Sequence, residues 1–261
     1  MKTYMKIALV EKQFFSKIKI KGFDGYEIQL LGDGKDDFSL INKINLPVIT
    51  VHYPMHMCDL TVLSKEMNSD YLNKCFEICR KLNAGLILHA DASLEDLSSN
   101  LDFNHLCHAL SKQKISIHIE NSSIVNSNEA VRICNYINNL TSLSFAFPLL
   151  DTGHSLIAAQ KASLMERNIF TLIKNFASKN YKIHFSDIIG SGIKETGGVH
   201  GNNFAQNEPF MKELLNEFNE LYIKPSLIIE VEEDDYCNPI NAIELNKKIK
   251  NYLTKHKEAK E

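Results

Sequence analysis

Eight short runs rich in Ile, Leu and Val recur along the chain with helical patterns between them, and this alternation limits the folds open to it. The runs are Lys6–Val10, Tyr26–Leu31, Pro47–His52, Leu86–His89, Ile115–Glu120, Leu143–Phe147, Lys182–Phe185 and Leu227–Glu230. Short, nearly continuous apolar stretches are what strands of a parallel sheet covered on its faces require. The segments between them carry helix signals. Ser64–Leu82 is followed by Asn83-Ala84-Gly85, with glycine placed as a stop. Leu94–Ser111 repeats leucine at Leu94, Leu97, Leu101, Leu106 and Leu110, Ser127–Asn139 opens on Ser-Asn-Glu-Ala, and Ser155–Ser178 is long. Glu208-Pro209 and Asn238-Pro239 each open a further helix, the first ending near Tyr222, with proline in the first turn. Strands and helices in this order predict an α/β fold, one (β/α)8 TIM barrel filling residues 1–261 as a single domain. The competing open, doubly wound sheet would place a glycine-rich phosphate turn after the first strand, and Val10-Glu11-Lys12-Gln13 is not one.

Composition removes several function classes. The chain is 44% hydrophobic, enough for a sizeable core, yet no apolar run approaches the roughly 18–20 residues that cross a bilayer. The opening Met-Lys-Thr-Tyr-Met-Lys-Ile-Ala-Leu-Val lacks a long apolar stretch and a small-residue cleavage site, so it reads as a first strand and not a signal peptide. The cysteines Cys58, Cys75, Cys79, Cys107, Cys134 and Cys237 form no C-x-x-C pair and read as reduced, buried thiols of a cytoplasmic protein. Net charge is −3, and the arginines are Arg80, Arg132 and Arg167, all within helical patterns. That is not the basic footprint of a nucleic-acid binder. A small-molecule partner is expected ahead of nucleic acid.

Polar residues fall at the strand ends in a pattern. In Ile115-Ser116-Ile117-His118-Ile119-Glu120 the isoleucines share one face, and Ser116, His118 and Glu120 share the face that looks into a barrel. His184 is turned inward by the same alternation, Glu230 ends the last strand, His52 and His89 end the third and fourth, and Asp151 follows the sixth with His154 three residues on. Barrel active sites sit at this C-terminal rim. A mixture of imidazoles and carboxylates suits Zn, Mn, Co or Fe as the divalent metal better than Ca or Mg.

These stretches resemble the xylose-isomerase-like TIM barrels, a superfamily that includes sugar isomerases and epimerases and the endonuclease IV-like enzymes. The resemblance is carried by Val51-His52-Tyr53-Pro54, Leu88-His89-Ala90-Asp91, Ile119-Glu120-Asn121, Leu150-Asp151-Thr152-Gly153-His154, Ile183-His184-Phe185-Ser186-Asp187, His200 and Ile229-Glu230. It implies a core metal site of Glu120, Asp151, His184 and Glu230. It implies further ligands at His52, His89, His154 and His200, with one to three ions per chain. Asp187 would orient a ligand or touch substrate. One departure stands out: where the endonuclease pattern has an aspartate two residues before His200, this chain has Gly198, which would strip the third ion of its carboxylate.

Two reactions follow from that resemblance. In the first, a metal-dependent isomerase or epimerase acts on a small carbohydrate or sugar phosphate, with Glu120 and Glu230 as ligands and proton carriers. In the second, an endonuclease IV-like phosphodiesterase uses a multinuclear zinc site. Elsewhere His118 reads as a hydrogen-bonded core histidine, His105 and His108 as helix surface, and Lys194 and Glu195 as part of a long loop after the seventh strand. The acidic run Glu232–Asp235 reads as a solvated loop, and the lysine-rich segment after Leu253 as a frayed end.

Overall fold

A computed structural model describes residues 1–9, 22–44, 47–122, 125–155, 182–185, 187–189, 199–201, 208–221, 223–231 and 239–258. Numbered among these residues, the strands are β1 (Lys2–Ala8), β2 (Gly25–Gln29), β3 (Val48–His52), β4 (Gly85–His89), β5 (Ile117–Glu120), β6 (Ala146–Asp151), β7 (Lys182–Phe185), β8 (Asp187–Ile189), β9 (Val199–Gly201) and β10 (Ser226–Ile229). The helices are α1 (Leu60–Lys65), α2 (Asp70–Leu82), α3 (Leu94–Ser98), α4 (Leu101–Ser111), α5 (Ser127–Thr141), α6 (Glu208–Glu220) and α7 (Ile240–Glu258). Eight strands close in the order β1-β10-β7-β6-β5-β4-β3-β2, and every neighbouring pair is parallel. The fold is the expected (β/α)8 barrel. No helix among the described residues is long and apolar enough to cross a membrane.

Strand alternation builds two apolar layers. Met5, Ile7, Ile28, Val51, Leu86, Leu88, Ile117, Ile119, Ile183, Phe185, Leu227 and Ile229 belong to the large core shared with the helices. The alternate positions Tyr4, Ile87, Leu149 and Ile228, with Ile49, form a second, smaller cluster that plugs the barrel interior. Below it, Lys182 Nζ lies 2.6 Å from His118 Nε2, and Ser116 Oγ lies 3.2 Å from the same nitrogen. His118 is thus the hydrogen-bonded core histidine its inward position implied.

Several boundaries differ from the sequence reading, each for a local reason. The helix expected over Ser64–Leu82 is two helices, because the Ser69 hydroxyl accepts from the Leu72 N–H at 3.2 Å and starts α2 afresh. Leu94–Ser111 divides in the same way where Asn100 caps α4. The sixth strand begins at Ala146 and not Leu143. Asn138 causes the shift: its Oδ1 accepts from the N–H groups of Phe145 and Ala146 at 3.0 and 2.9 Å, and its Nδ2 donates to Ala146 O at 2.8 Å. The strand therefore runs on to include Asp151. Part of the loop after β7 is an antiparallel ribbon of β8 and β9, and α7 continues past Leu253 to Glu258. Ser155–Ser178, Arg167, Lys194, Glu195, Cys237 and Glu232–Asp235 lie outside the described residues, apart from Ser155 itself.

Close approach of β2 to the residue before β3 requires a glycine. Pro47 O accepts from the Tyr26 N–H at 2.8 Å, and a Cβ on Gly25 would collide with that carbonyl oxygen. A backbone atom cannot rotate away as a side chain can. Gly25→Ala is expected to destabilise the fold by about 3 kcal/mol, measured as a lower urea midpoint with an unchanged slope; a midpoint within error of the parent would refute the packing argument.

Candidate metal centre

Four strands deliver the central group. Glu120 ends β5, Asp151 ends β6, His184 lies in β7, and Glu230 follows β10. His184 Nδ1 is 2.8 Å from Glu120 Oε1, 2.9 Å from Glu230 Oε2 and 3.7 Å from Asp151 Oδ2. The ligand-capable atoms of the four residues lie within 4.8 Å of one another. A second group shares Glu120. His52 Nε2 and His89 Nε2 lie 3.2 and 3.1 Å from Glu120 Oε2 and 3.1 Å from each other. Glu120 thus turns one oxygen to each group.

Neighbouring contacts fix these side chains. The His52 Nδ1–H donates to Tyr53 O at 2.6 Å, which sets the tautomer and leaves Nε2 with a lone pair facing Glu120 and His89. Asn121 ties the ends of β5 and β6 together: its Oδ1 accepts from the Asp151 N–H at 2.7 Å, and its Nδ2 donates to Asp151 O at 3.2 Å. The Thr152 hydroxyl donates to His184 O at 3.2 Å and ties β6 to β7.

Two charged residues of the site, one of them fully buried, were not singled out from sequence. Glu27 on β2 is fully buried; its Oε2 accepts from the Thr50 hydroxyl at 2.7 Å and lies 3.1 Å from His184 Nε2. Lys6 on β1 donates to Glu230 Oε1 at 2.5 Å and lies 3.7 Å from Glu27 Oε1. The signal was present in Tyr26-Glu27-Ile28-Gln29-Leu30, where Glu27 and Gln29 alternate with apolar residues as Ser116, His118 and Glu120 do. Both Lys6 and Glu27 sit below a strand end, where a search confined to the rim does not look.

Burial opposes charge on all of these groups, and their mutual attraction overrides it for most. Burial would lower the His184 pKa, yet Glu120, Glu27 and Glu230 together hold it well above the ordinary value. Burial would raise Glu120, yet His184 and His89 hold its carboxyl well below the carboxylate range. Lys6 is likewise raised by Glu230, Glu27 and Glu120 against burial. His52 goes the other way: burial, reinforced by the Lys6 charge, lowers it and keeps it neutral.

Of the remaining expected ligands, His154 donates its backbone N–H to Asp151 Oδ1 at 2.6 Å, and its ring centroid is 6.1 Å from that of His89. It lies beside the two groups without joining either. His200 pairs with Ile188, and Asp187 with Gly201, in the β8–β9 ribbon; Gly198 lies outside the described residues. His105 and His108 are exposed on α4, as expected.

No protein-family model and no curated protein matches the chain. Solved structures do. A 3-keto-D-glucoside 4-epimerase from E. coli superposes with a TM-score of 0.59 at 15% identity, over 96% of this chain and 99% of that one. SacUVDE gives 0.58 at 14% identity over 96% and 98%. A xylose isomerase-like TIM barrel protein from Mycobacterium smegmatis, in complex with magnesium, gives 0.55 at 12% identity over 94% and 88%. What the chain shares with them is the closed (β/α)8 barrel. At these identities the likeness is one of architecture, and the site rests on its own geometry.

Beneath the rim of the barrel, burial pushes the Lys182 ammonium down to about 8 from an ordinary 10.5. Between those two values the unfolded chain holds a proton that the folded one does not, so this group makes stability rise with pH across that window. Below it the full penalty applies. Lys182→Met is expected to be more stable than the parent at pH 7 by about 2 kcal/mol. That advantage should shrink steadily between pH 8 and 10.5 in guanidinium titrations at stepped pH. A pH-independent difference would show that Lys182 is not charged against its surroundings.

Proposed function

We propose that the protein is a divalent-metal-dependent isomerase or epimerase of a small sugar or sugar phosphate. The observation that carries this reading is the convergence of Glu120 and Glu230, from β5 and from the end of β10, on His184 Nδ1 at 2.8 and 2.9 Å beside Asp151. The donor set fits a cation. Asp151 Oδ2 and Glu27 Oε1 are buried with no hydrogen bond among the described residues, and three acidic ligands with one imidazole suit Mn, Co, Fe or Zn. Glu120, Asp151, His184 and Glu230 would hold the ion, which when bound supplies a Lewis acid that polarises a substrate carbonyl and hydroxyl.

The protein's own groups then do the proton work. One glutamate takes the proton from the carbon beside the polarised carbonyl, and the other returns one. Lys6 fixes Glu230 by holding Oε1 while Oε2 faces His184. Glu120 is held from both sides, by His184 at Oε1 and by His89 at Oε2. The 3-keto-D-glucoside 4-epimerase, and the D-psicose 3-epimerase crystallised with D-fructose, support a carbohydrate substrate.

A second reading, an endonuclease IV-like zinc phosphodiesterase, is favoured by the His52–His89–Glu120 group, which offers a second ion a place against the first. The likeness to SacUVDE supports it. Arginine placement weighs against it. Arg80 is bonded to Gln113 at 2.8 Å, and Arg132 to Glu95 and Glu129 at 2.6 and 2.7 Å, so both described arginines are spent on helix surfaces and not on a phosphate path.

Incubation in deuterated water with Mn or Zn and a panel of ketoses and ketose phosphates should give metal-dependent exchange into one of them. Glu120→Gln and Glu230→Gln should each lower that exchange at least 100-fold, on the order expected for losing a general base. Nicking of an abasic-site oligonucleotide that disappears in Glu230→Gln, with no exchange into any sugar, would replace this reading with the phosphodiesterase.

A further inference from the structure

Cys58, Asp59 and His89 form a third group of ligand-capable atoms, all within 4.8 Å of one another. Cys58 is completely buried, and its thiol donates to Met55 O at 3.2 Å. The segment is clamped along the end of β4: the His89 N–H donates to Cys58 O at 3.0 Å, and Asp59 forms a parallel bridge with His89. These backbone bonds fix the thiol and carboxylate beside the imidazole independently of any side-chain contact.

Asp59 supplies the second observation. It occupies the N-cap position of α1, where an aspartate ordinarily spends its carboxylate on a backbone N–H, yet it makes no capping bond. Asp91 caps the helix instead, accepting from the Thr61 N–H at 3.2 Å and from the Thr61 hydroxyl. A half-buried carboxylate released from its local duty, beside a buried thiol and a histidine, is set for another partner. His52 and Glu120 engage His89 at Nε2, and the ring's second ligand atom is Nδ1.

We propose that Cys58, Asp59 and His89 bind a thiophilic divalent cation of the zinc type. Sulfur, nitrogen and oxygen ligands in one group match zinc, which accepts three protein ligands with an open fourth position. Magnesium and calcium, which take oxygen ligands and avoid thiolate, are excluded. On binding, the Cys58 Sγ–H proton leaves to solvent as the sulfur–metal bond forms, so no oxidant or further reactant is needed. Neither reading of the reaction uses Cys58 or Asp59; only His89 is shared, with the His52–His89–Glu120 group of the second reading.

Cobalt titration of the metal-stripped full chain tests it. The wild-type protein should develop a near-ultraviolet thiolate-to-cobalt charge-transfer absorption that excess magnesium does not remove. Cys58→Ser should lose that absorption while keeping its circular dichroism and the cation of the Glu120–Asp151–His184–Glu230 group. Asp59→Asn, which leaves the buried thiol in place, should weaken cobalt binding at least about 10-fold. Glu230→Gln should retain the absorption, which separates this site from the central one. An absorption that is absent from wild type, or that survives in Cys58→Ser, overturns the assignment.

Discussion

The carboxylate of Glu120 is the interaction on which the rest of the site depends. Its two oxygens face different partners, His184 on one side and the His52–His89 pair on the other. A buried carboxylate costs several kcal/mol unless it is met by positive charge or strong hydrogen bonds. Meeting that need draws β3, β4 and β7 toward β5 at the same height. The local arrangement follows: His52 is held in one tautomer by Tyr53, and Asn121 keeps the neighbouring strand end in register.

The same need explains the two charged residues that lie deeper. Three buried carboxylates, from Glu27, Glu120 and Asp151, crowd together beside the partly exposed Glu230. Lys6 answers two of them, and His184, which the carboxylates hold well above its ordinary pKa, answers the others. A divalent ion held there, as proposed, would take the place of the His184 proton, so its uptake would be coupled to proton release from that ring.

Much of this was legible in the sequence because the barrel repeats a simple rule. A period of two in Ile117-His118-Ile119-Glu120 and in Ile183-His184-Phe185 separates what packs on helices from what enters the barrel, and the structure follows it. Glu120, Asp151, His184 and Glu230, which the structure brings together, could be named from sequence because each ends or nearly ends a strand. Boundaries were harder wherever a side chain, and not a strand pattern, sets them. Asn138 holds back the start of β6, and Ser69 and Asn100 restart helices that read as continuous. Lys6 and Glu27 obey the same alternation but lie below the rim, and only the closure of β1 and β2 onto β10 and β3 shows what they meet. The Cys58–Asp59 pair had no periodic signal, since it depends on a bridge between a loop and the end of β4.

Closure of the barrel by β1 against β10 has a consequence for how the protein is made. The strand that carries Lys6 pairs with the strand that presents Glu230, and more than two hundred residues separate them in sequence. Loop-closure entropy must be met before such a contact contributes. During synthesis the nascent chain therefore carries Lys6, Glu27, Glu120, Asp151 and His184 out of the ribosome before Glu230, the carboxylate that Lys6 holds, has been translated. A chain stalled before β10 lacks both the strand that closes the barrel on β1 and the carboxylate that completes the central group, so closing the fold and completing the site are the same late step.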